Sequence, residues 1–228
     1  MSGEVPAMNV REALDARFSC RAFTREPVAR AQVEAVVAAA CRAPSWANTQ
    51  PWEVFVAAGE ALERIRQGYL QRAEQGAALA LETEAPTSWP EAHRERTAEL
   101  MRQRFGILGV AREDAEARRG LTRRNHRLFD APAVAWLCLD KSLSPWSLYD
   151  LGAFAQSLML AAAEAGLDSI PAVMLAAWPD IVRAELGVPE TLAVAIGIAL
   201  GHADREDPLN RIRSPRRPVA DVLRAKGL

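Results

Sequence analysis

Two short apolar runs, Trp52–Ala57 and Ala133–Leu139, read as strands, and a long polar stretch from Glu60 to Arg127 separates them. That separation constrains the fold more than any other feature. A stretch of this length is too long for a loop, so two or three helices must lie there, with breaks near Thr87-Ser88-Trp89-Pro90 and Gly120. A helical excursion of that size is incompatible with tight βαβ spacing. The expected class is therefore α+β, with a central mixed or antiparallel sheet between helical layers.

The remaining elements follow from periodicity and punctuation. Val10–Arg17 reads as a short helix, and Arg17–Phe23 as irregular and extended. Val33, Val36, Val37, Ala40 and Cys41 repeat at i, i+3, i+4, i+7 and i+8, which predicts a helix over Ala31–Arg42 with Cys41 in the core. Pro44 ends it, and APSWANTQP is a turn-rich loop. Pro145 starts a long helix reaching Ala165, with Gly166 as its stop. Ile170–Leu175 is short and apolar, Pro179–Leu186 is helical, and Leu192–Leu200 is a third strong strand. From His202 onward the chain is polar and broken by prolines, unable to build a core of its own and suited to wrapping around something else. Residues 1–228 read as one domain, with a helical insertion at about 60–128.

Charge and cysteine content exclude several classes. Lysine plus arginine total 28 against 29 acidic residues, so global charge predicts neither a nucleic-acid binder nor a membrane-surface protein. Arg118, Arg119, Arg123, Arg124, His126 and Arg127 form a basic run, but Glu113, Asp114 and Glu116 interleave with it and only Phe129 offers a nearby stacking ring. Cys20, Cys41 and Cys138 are widely spaced, giving neither a disulfide framework nor a zinc pattern. Reduced thiols in a cytoplasmic protein are expected. The N-terminus, MSGEVPAMNV, lacks a signal-peptide pattern, and the most apolar helix is interrupted by Gln156 and Glu164, short of a membrane span.

Phosphate-loop, dinucleotide-fingerprint and serine-nucleophile motifs are all missing, and His93, His126 and His202 lie far apart. Two arginine patterns remain. Arg17, Ser19 and Arg21 alternate in RFSCR, so an extended backbone puts two guanidiniums and a hydroxyl on one face. That arrangement reads either as a phosphate cradle built from side chains or as a solvated surface cluster. Arg211 and Arg213 repeat the spacing near the other end. Separately, Pro44 to Trp52 is a loop of small polar side chains flanked by tryptophans, suited to a flat, heteroatom-rich ring or to an ordinary packed turn.

Taken together, RFSCRAF, APSWANTQPW, GLDSIPAVML and GIALGHADREDPLNRIR resemble, in order and spacing, the FMN-dependent nitroreductase family, in particular the branch with nitrobenzoate and nitrophenol reductases. The resemblance runs from Val10 to about Val222 and is loose only in the insertion. It implies an intertwined homodimer whose C-terminal tail embraces the partner, FMN as cofactor and NADH or NADPH as co-substrate. Arg17, Phe18 and Ser19, with Arg211 and Arg213, would meet the FMN phosphate. Arg21 would face the N1/O2 edge of the isoalloxazine, with Arg127 as a further basic contact at the pyrimidine end. Pro44, Ser45, Trp46 and Asn48 would come from the partner. Pro171, Ala172, Val173 and Met174 would cross one ring face.

The implied reaction passes electrons from the nicotinamide to a small nitroaromatic or similar acceptor, in ping-pong order, with no catalytic side chain beyond those that hold the flavin. A dehydrogenase, dehalogenase or ene/quinone reductase on the same scaffold is the alternative; a flavin store without turnover and a nucleic-acid binder are remoter ones. Many relatives carry Ser or Gly at Trp46 and several carry Glu-Gly at Val173-Met174. Both departures bear on the substrate more than on the cofactor.

Overall fold

A computed structural model describes residues 8–111 and 113–228. Most of the N-terminal segment just read for a signal peptide lies outside the described residues. Strands β1 (Glu53–Ala58), β2 (Ala133–Asp140), β3 (Asp168–Ala172) and β4 (Leu192–Gly201) form one sheet in the order β1-β2-β4-β3. All three pairings are antiparallel, so of the two sheet types expected the antiparallel one holds. Among the described residues the one parallel pairing is an isolated bridge between Ser19 and Ser169.

Strand β2 shows why the sheet needs a helical layer on each side. Seven of its eight residues are buried, and alternate side chains enter different cores. Val134, Trp136 and Cys138 pack with Leu62, Ile65 and Tyr69 of α3 (Gly59–Glu74) and Val182 of α7 (Pro179–Leu186). Ala133, Ala135, Leu137 and Leu139 pack with Val36 and Ala40 of α2 (Arg30–Ala40) and with Phe154 and Leu158 of α6 (Pro145–Glu164). Helix α1 (Val10–Ala16) lies against α6.

The polar stretch between β1 and β2 holds three helices: α3, α4 (Glu91–Leu108) and α5 (Ala115–His126). The break at Thr87–Pro90 falls as expected, but Gly120 lies inside α5. The second break comes at Gly109, which takes a left-handed φ of 63°, and Asp114 then caps α5 by accepting from the N–H groups of Glu116 and Ala117. A glycine inside a helix costs only about 1 kcal/mol relative to alanine, less than that break and cap decide.

Cys41 corrects a second expectation. Helix α2 ends at Ala40, so Cys41 drops out of the apolar stripe and is exposed. Cys138, by contrast, is buried in β2. The tail forms a short turn over Pro208–Arg211 and a single helical turn, α8 (Val219–Val222), leaving Val219, Val222 and Leu223 largely exposed. No described helix is long and apolar enough to cross a membrane.

Candidate functional site

The free edge of β3 is where the two ends of the chain meet. The segment after α1 lies along it: Cys20 N–H donates to the Ser169 carbonyl at 3.0 Å, and Phe23 bridges to Ala203. Burial alternates as extended backbone requires, with Phe18 and Cys20 inward and Arg17, Ser19 and Arg21 on the other side. Asn210 then locks the tail to this segment. Its buried side chain accepts from Arg21 N–H at 2.7 Å and donates to the carbonyls of Ala22 at 2.7 Å and Asp204 at 2.8 Å.

With the tail so held, the Arg213 guanidinium lies 3.9 Å from the centre of the Phe18 ring and that of Arg205 lies 5.4 Å from it. Burial, and then the positive charge of Arg216, hold the Arg17 guanidinium below its ordinary pKa. Arg205 is paired with Asp168, whereas Arg17, Arg211 and Arg213 form no ion pair among the described residues. The two RxR strips therefore converge, and Arg211 is exposed at the end of the same turn.

Arg21 sits apart from that cluster. Its guanidinium donates to the Ser19 carbonyl at 2.9 Å, and burial, then the charge of Arg104, bring its pKa down to about 10. It lines a cavity of about 390 Å³ whose walls include Ser19, Pro171, Ala172 and Phe129. The insertion closes part of this cavity through Arg104 and Phe105 of α4 and Thr122 and Arg124 of α5. Phe129 is held between Leu128 and Asp130 with all three residues at positive φ, a strained turn for residues with side chains.

Beyond Ala172 the backbone leaves the sheet in a short 3-10 turn, Val173–Ala176, with Val173 exposed and Leu175 buried. The Leu175 carbonyl accepts from Tyr69 Oη and Trp136 Nε1, each at 2.6 Å. Beneath it the absence of a side chain at Gly197 is needed, since a Cβ there would lie 2.4 Å from that of Leu175. Val173 and Met174 are thus presented from a turn pinned on its inner side.

The loop Pro44–Trp52 lies elsewhere. Pro44, Ser45 and Trp46 line a second cavity, of about 460 Å³, with Trp146, Tyr149 and Asp150 of α6. It shares no lining residue with the Arg21 cavity. Trp46 and Trp146 meet edge to face at 5.8 Å. Buried Asp150 accepts from Trp46 N–H at 3.1 Å, and Ser45 Oγ accepts from Gln50 N–H at 2.9 Å. Ala47, Asn48 and Gln50 all take positive φ, so these contacts maintain a strained loop.

The structure thus gathers Arg17, Phe18, Ser19, Arg21, Pro171, Ala172 and Arg213 around the free edge of β3, with Ser19, Arg21, Pro171 and Ala172 on one cavity and Arg213 over Phe18, and puts Pro44, Ser45, Trp46 and Asn48 in a separate loop. Arg127 joins neither group. It pairs with Asp130 at 2.8 Å and lines a different cavity, beside Phe23 and Arg66, while Arg124 and Asn125 line the cavity beside Arg21. Asn210, Asp150 and Arg104 were not legible as functional. Asn210 is one polar residue in a polar tail, Asp150 interrupts an apolar helix without a motif, and Arg104 is one of many arginines in the insertion.

Comparison with known proteins agrees with this geometry. The Nitroreductase family profile matches residues 14–202. Nitroreductase NfnB of Mycolicibacterium smegmatis is 32% identical over 91% of this chain and 88% of its own length. Nitrobenzene nitroreductase of Ectopseudomonas oleovorans is 35% identical over 86% of this chain and 87% of its own. The crystal structure of an FMN- and NADPH-dependent nitroreductase NfnB from Sphigopyxis sp. strain HMH superposes with a TM-score of 0.92 at 34% identity, covering 97% of this chain and all of that one. With RxSxR and the RIR tail brought together at the β3 edge inside the matched fold, the chain belongs to the nitroreductase family.

Proposed function

We propose that this protein is an FMN-dependent oxidoreductase that moves electrons from NADPH or NADH to a nitroaromatic or similarly electron-poor acceptor. The observation that carries the reading is the convergence of RFSCR and RIR. Arg213 stacks on Phe18, Asn210 ties the tail to Arg21, and the guanidiniums of Arg17, Arg211 and Arg213 have no carboxylate partner among the described residues. Clustered cations without acidic partners repel one another and are stabilised by an anion with several acceptor oxygens, which a phosphate monoester supplies. The residues present fit FMN.

When bound, FMN supplies the redox chemistry, taking a hydride from the nicotinamide and delivering electrons to the acceptor. The side chains do the rest. Arg17, Ser19, Arg211 and Arg213 hold the phosphate. Arg21 holds positive charge in a half-buried position, where it favours negative charge on the pyrimidine edge. Val173 and Met174 offer backbone N–H groups from the pinned turn. No side chain needs to act as acid, base or nucleophile, and one site serves reductant and acceptor in turn, which gives ping-pong kinetics.

The Pro44–Asn48 loop supports a homodimer. Its cavity is separate from Arg21's within one chain, and it adjoins an exposed apolar stretch of α6 with Trp146 and Tyr149. A second copy would complete each site, with the exposed apolar residues of the tail lying on the partner. In this reading the chain is one FMN-binding domain with the insertion at about 60–128 folded over the site, and its three free thiols suit the cytoplasm.

The test is the visible spectrum of the purified protein, followed while NADPH or NADH is added without oxygen and a nitroarene is then admitted. A yellow protein that bleaches with nicotinamide and recovers its colour with the nitroarene is expected. Colourless protein that fails to bind added FMN overturns the proposal.

A further inference from the structure

The cavity beside Arg21 carries more positive charge than the flavin reading uses. Among the described residues four arginines line it (Arg21, Arg104, Arg118 and Arg124), and no aspartate or glutamate does. Arg124 is neutralised by Asp207 at 2.6 Å, and Arg21 is spent on the Ser19 carbonyl and the pyrimidine edge. Arg104 is left over. Its Nη1 reaches only the Met101 sulfur, a weak acceptor, and its Nε is buried with no partner among the described residues. A buried N–H of a cationic group without an acceptor is costly, and native structures keep one where a ligand provides the acceptor.

Arg118 adds to the case. It forms no ion pair among the described residues, and it also lines the two adjoining cavities, one formed with Met101 and Phe105 and one with Arg119 and Arg123. Pro171 and Ala172 wall the cavity on the side assigned to the flavin, while Arg104, Arg118 and Thr122 belong to the insertion. A molecule reacting at the flavin would therefore extend toward guanidiniums that lack a counter-ion.

We infer that Arg104, with Arg118, forms an oxyanion subsite that selects reactants by a carboxylate or phosphate monoester carried at the end away from the flavin. This rests on the flavin reading above and adds the substrate class to it. The same chemistry has two sources: a carboxylate on the nitroaromatic acceptor, or the 2′-phosphate that distinguishes NADPH from NADH. Arg104 acts here by binding, and no bond is made or broken at it.

The experiment uses FMN-loaded wild type, Arg104→Ala and Arg104→Lys. One arm compares kcat/KM for 4-nitrobenzoate and nitrobenzene at fixed NADPH; the other compares NADPH and NADH with nitrobenzene. Binding is read independently from the flavin absorbance, titrating benzoate against benzamide and adenosine 2′,5′-bisphosphate against AMP. In Arg104→Ala the preference for the charged member should fall at least about tenfold in one arm, in turnover and in binding alike, with partial recovery in Arg104→Lys. The arm that moves identifies the source. Ratios unchanged in both arms, or loss of FMN from Arg104→Ala, would overturn the subsite while leaving the flavin reading intact. Wild type that holds no flavin would refute the reading beneath both.

Discussion

Arg213 and Phe18 are 195 positions apart in the chain, yet the guanidinium of one lies 3.9 Å from the ring centre of the other. The stack orients a cation from the tail beside the first RxR strip, and such contacts contribute about 0.5–2 kcal/mol depending on exposure. If Arg213 holds the FMN phosphate as proposed, removing the guanidinium would also remove a charge-assisted contact worth about 1.5–3 kcal/mol. Arg213→Ala should raise the Kd for FMN by roughly tenfold to a hundredfold. Phe18→Leu, which keeps bulk and loses the ring face, should raise it less. Fluorescence titration of the apoprotein with FMN measures both; equal affinity in Arg213→Ala would remove the tail from the phosphate site.

Asn210 has a different role. Its side chain satisfies three backbone groups at once, on both sides of the junction between tail and RFSCR. Asn210→Ala leaves the Arg21 N–H and the carbonyls of Ala22 and Asp204 without this partner in a buried setting, at a cost of about 2–4 kcal/mol. Thermal unfolding should show the loss in the apoprotein, before any FMN is added. Asn210→Asp keeps the acceptor for Arg21 N–H but loses both donors, so it should not rescue. A variant as stable as wild type would show that the tail is held by other contacts.

What the sequence made legible and what it did not divide along a physical line. Apolar runs identified the strands, and alternation put Arg17, Ser19 and Arg21 on one face, because pleated backbone sends neighbouring side chains to opposite sides whatever surrounds them. Helical periodicity found α2 but misjudged Cys41, whose burial depended on where the helix stopped. Gly120 was read as a break on composition, yet Asp114 and Gly109 settle the boundary through cap geometry. Asn210, Asp150 and Arg104 gain their meaning from partners 188, 104 and 83 positions away (Ala22, Trp46 and Arg21), and one chain read linearly holds no record of such pairings. Arg127 is a similar case: it pairs with Asp130 and lines a cavity other than the one beside Arg21, which its place in the chain did not reveal.

Glu82 gives the fold an acid-sensitive joint. Burial alone pushes its carboxyl up, but hydrogen bonds from Arg183, the Val194 N–H and Lys141 outweigh that and hold it below its ordinary 4.5. A carboxyl with a depressed folded-state pKa contributes stability that is complete above the unfolded value and is lost as pH falls through the folded one. Stability should therefore decline below about pH 4.5, and Glu82→Gln should flatten that part of the curve. The substitution also leaves the Arg183 side chain, only 8% exposed, with Glu190 at 3.4 Å as its one carboxylate partner among the described residues, at a cost of about 1–3 kcal/mol at neutral pH. Urea unfolding of both proteins from pH 3 to 8 checks the sign, and an equal acid slope in the variant would exclude Glu82 as its source.

The turn that presents Val173 and Met174 should be the most sensitive part of the site to small changes beneath it. Leu175 is fixed by hydrogen bonds to its carbonyl from Tyr69 and Trp136, and its side chain fills the space over Gly197. In Gly197→Ala the new Cβ would fall 2.4 Å from the Leu175 Cβ, so backbone must move, and overpacking of this kind costs about 1–3 kcal/mol. Because two aromatic donors resist the shift from the far side, displacement should pass outward into Val173 and Met174. The expected signature is weaker FMN binding together with a lower Tm. Tyr69→Phe removes one of the two donors without adding bulk, so it should lower Tm by a similar amount and leave FMN affinity nearer wild type. If the two variants lose FMN equally at matched stability, the turn is answering to overall stability and not to its position over Gly197.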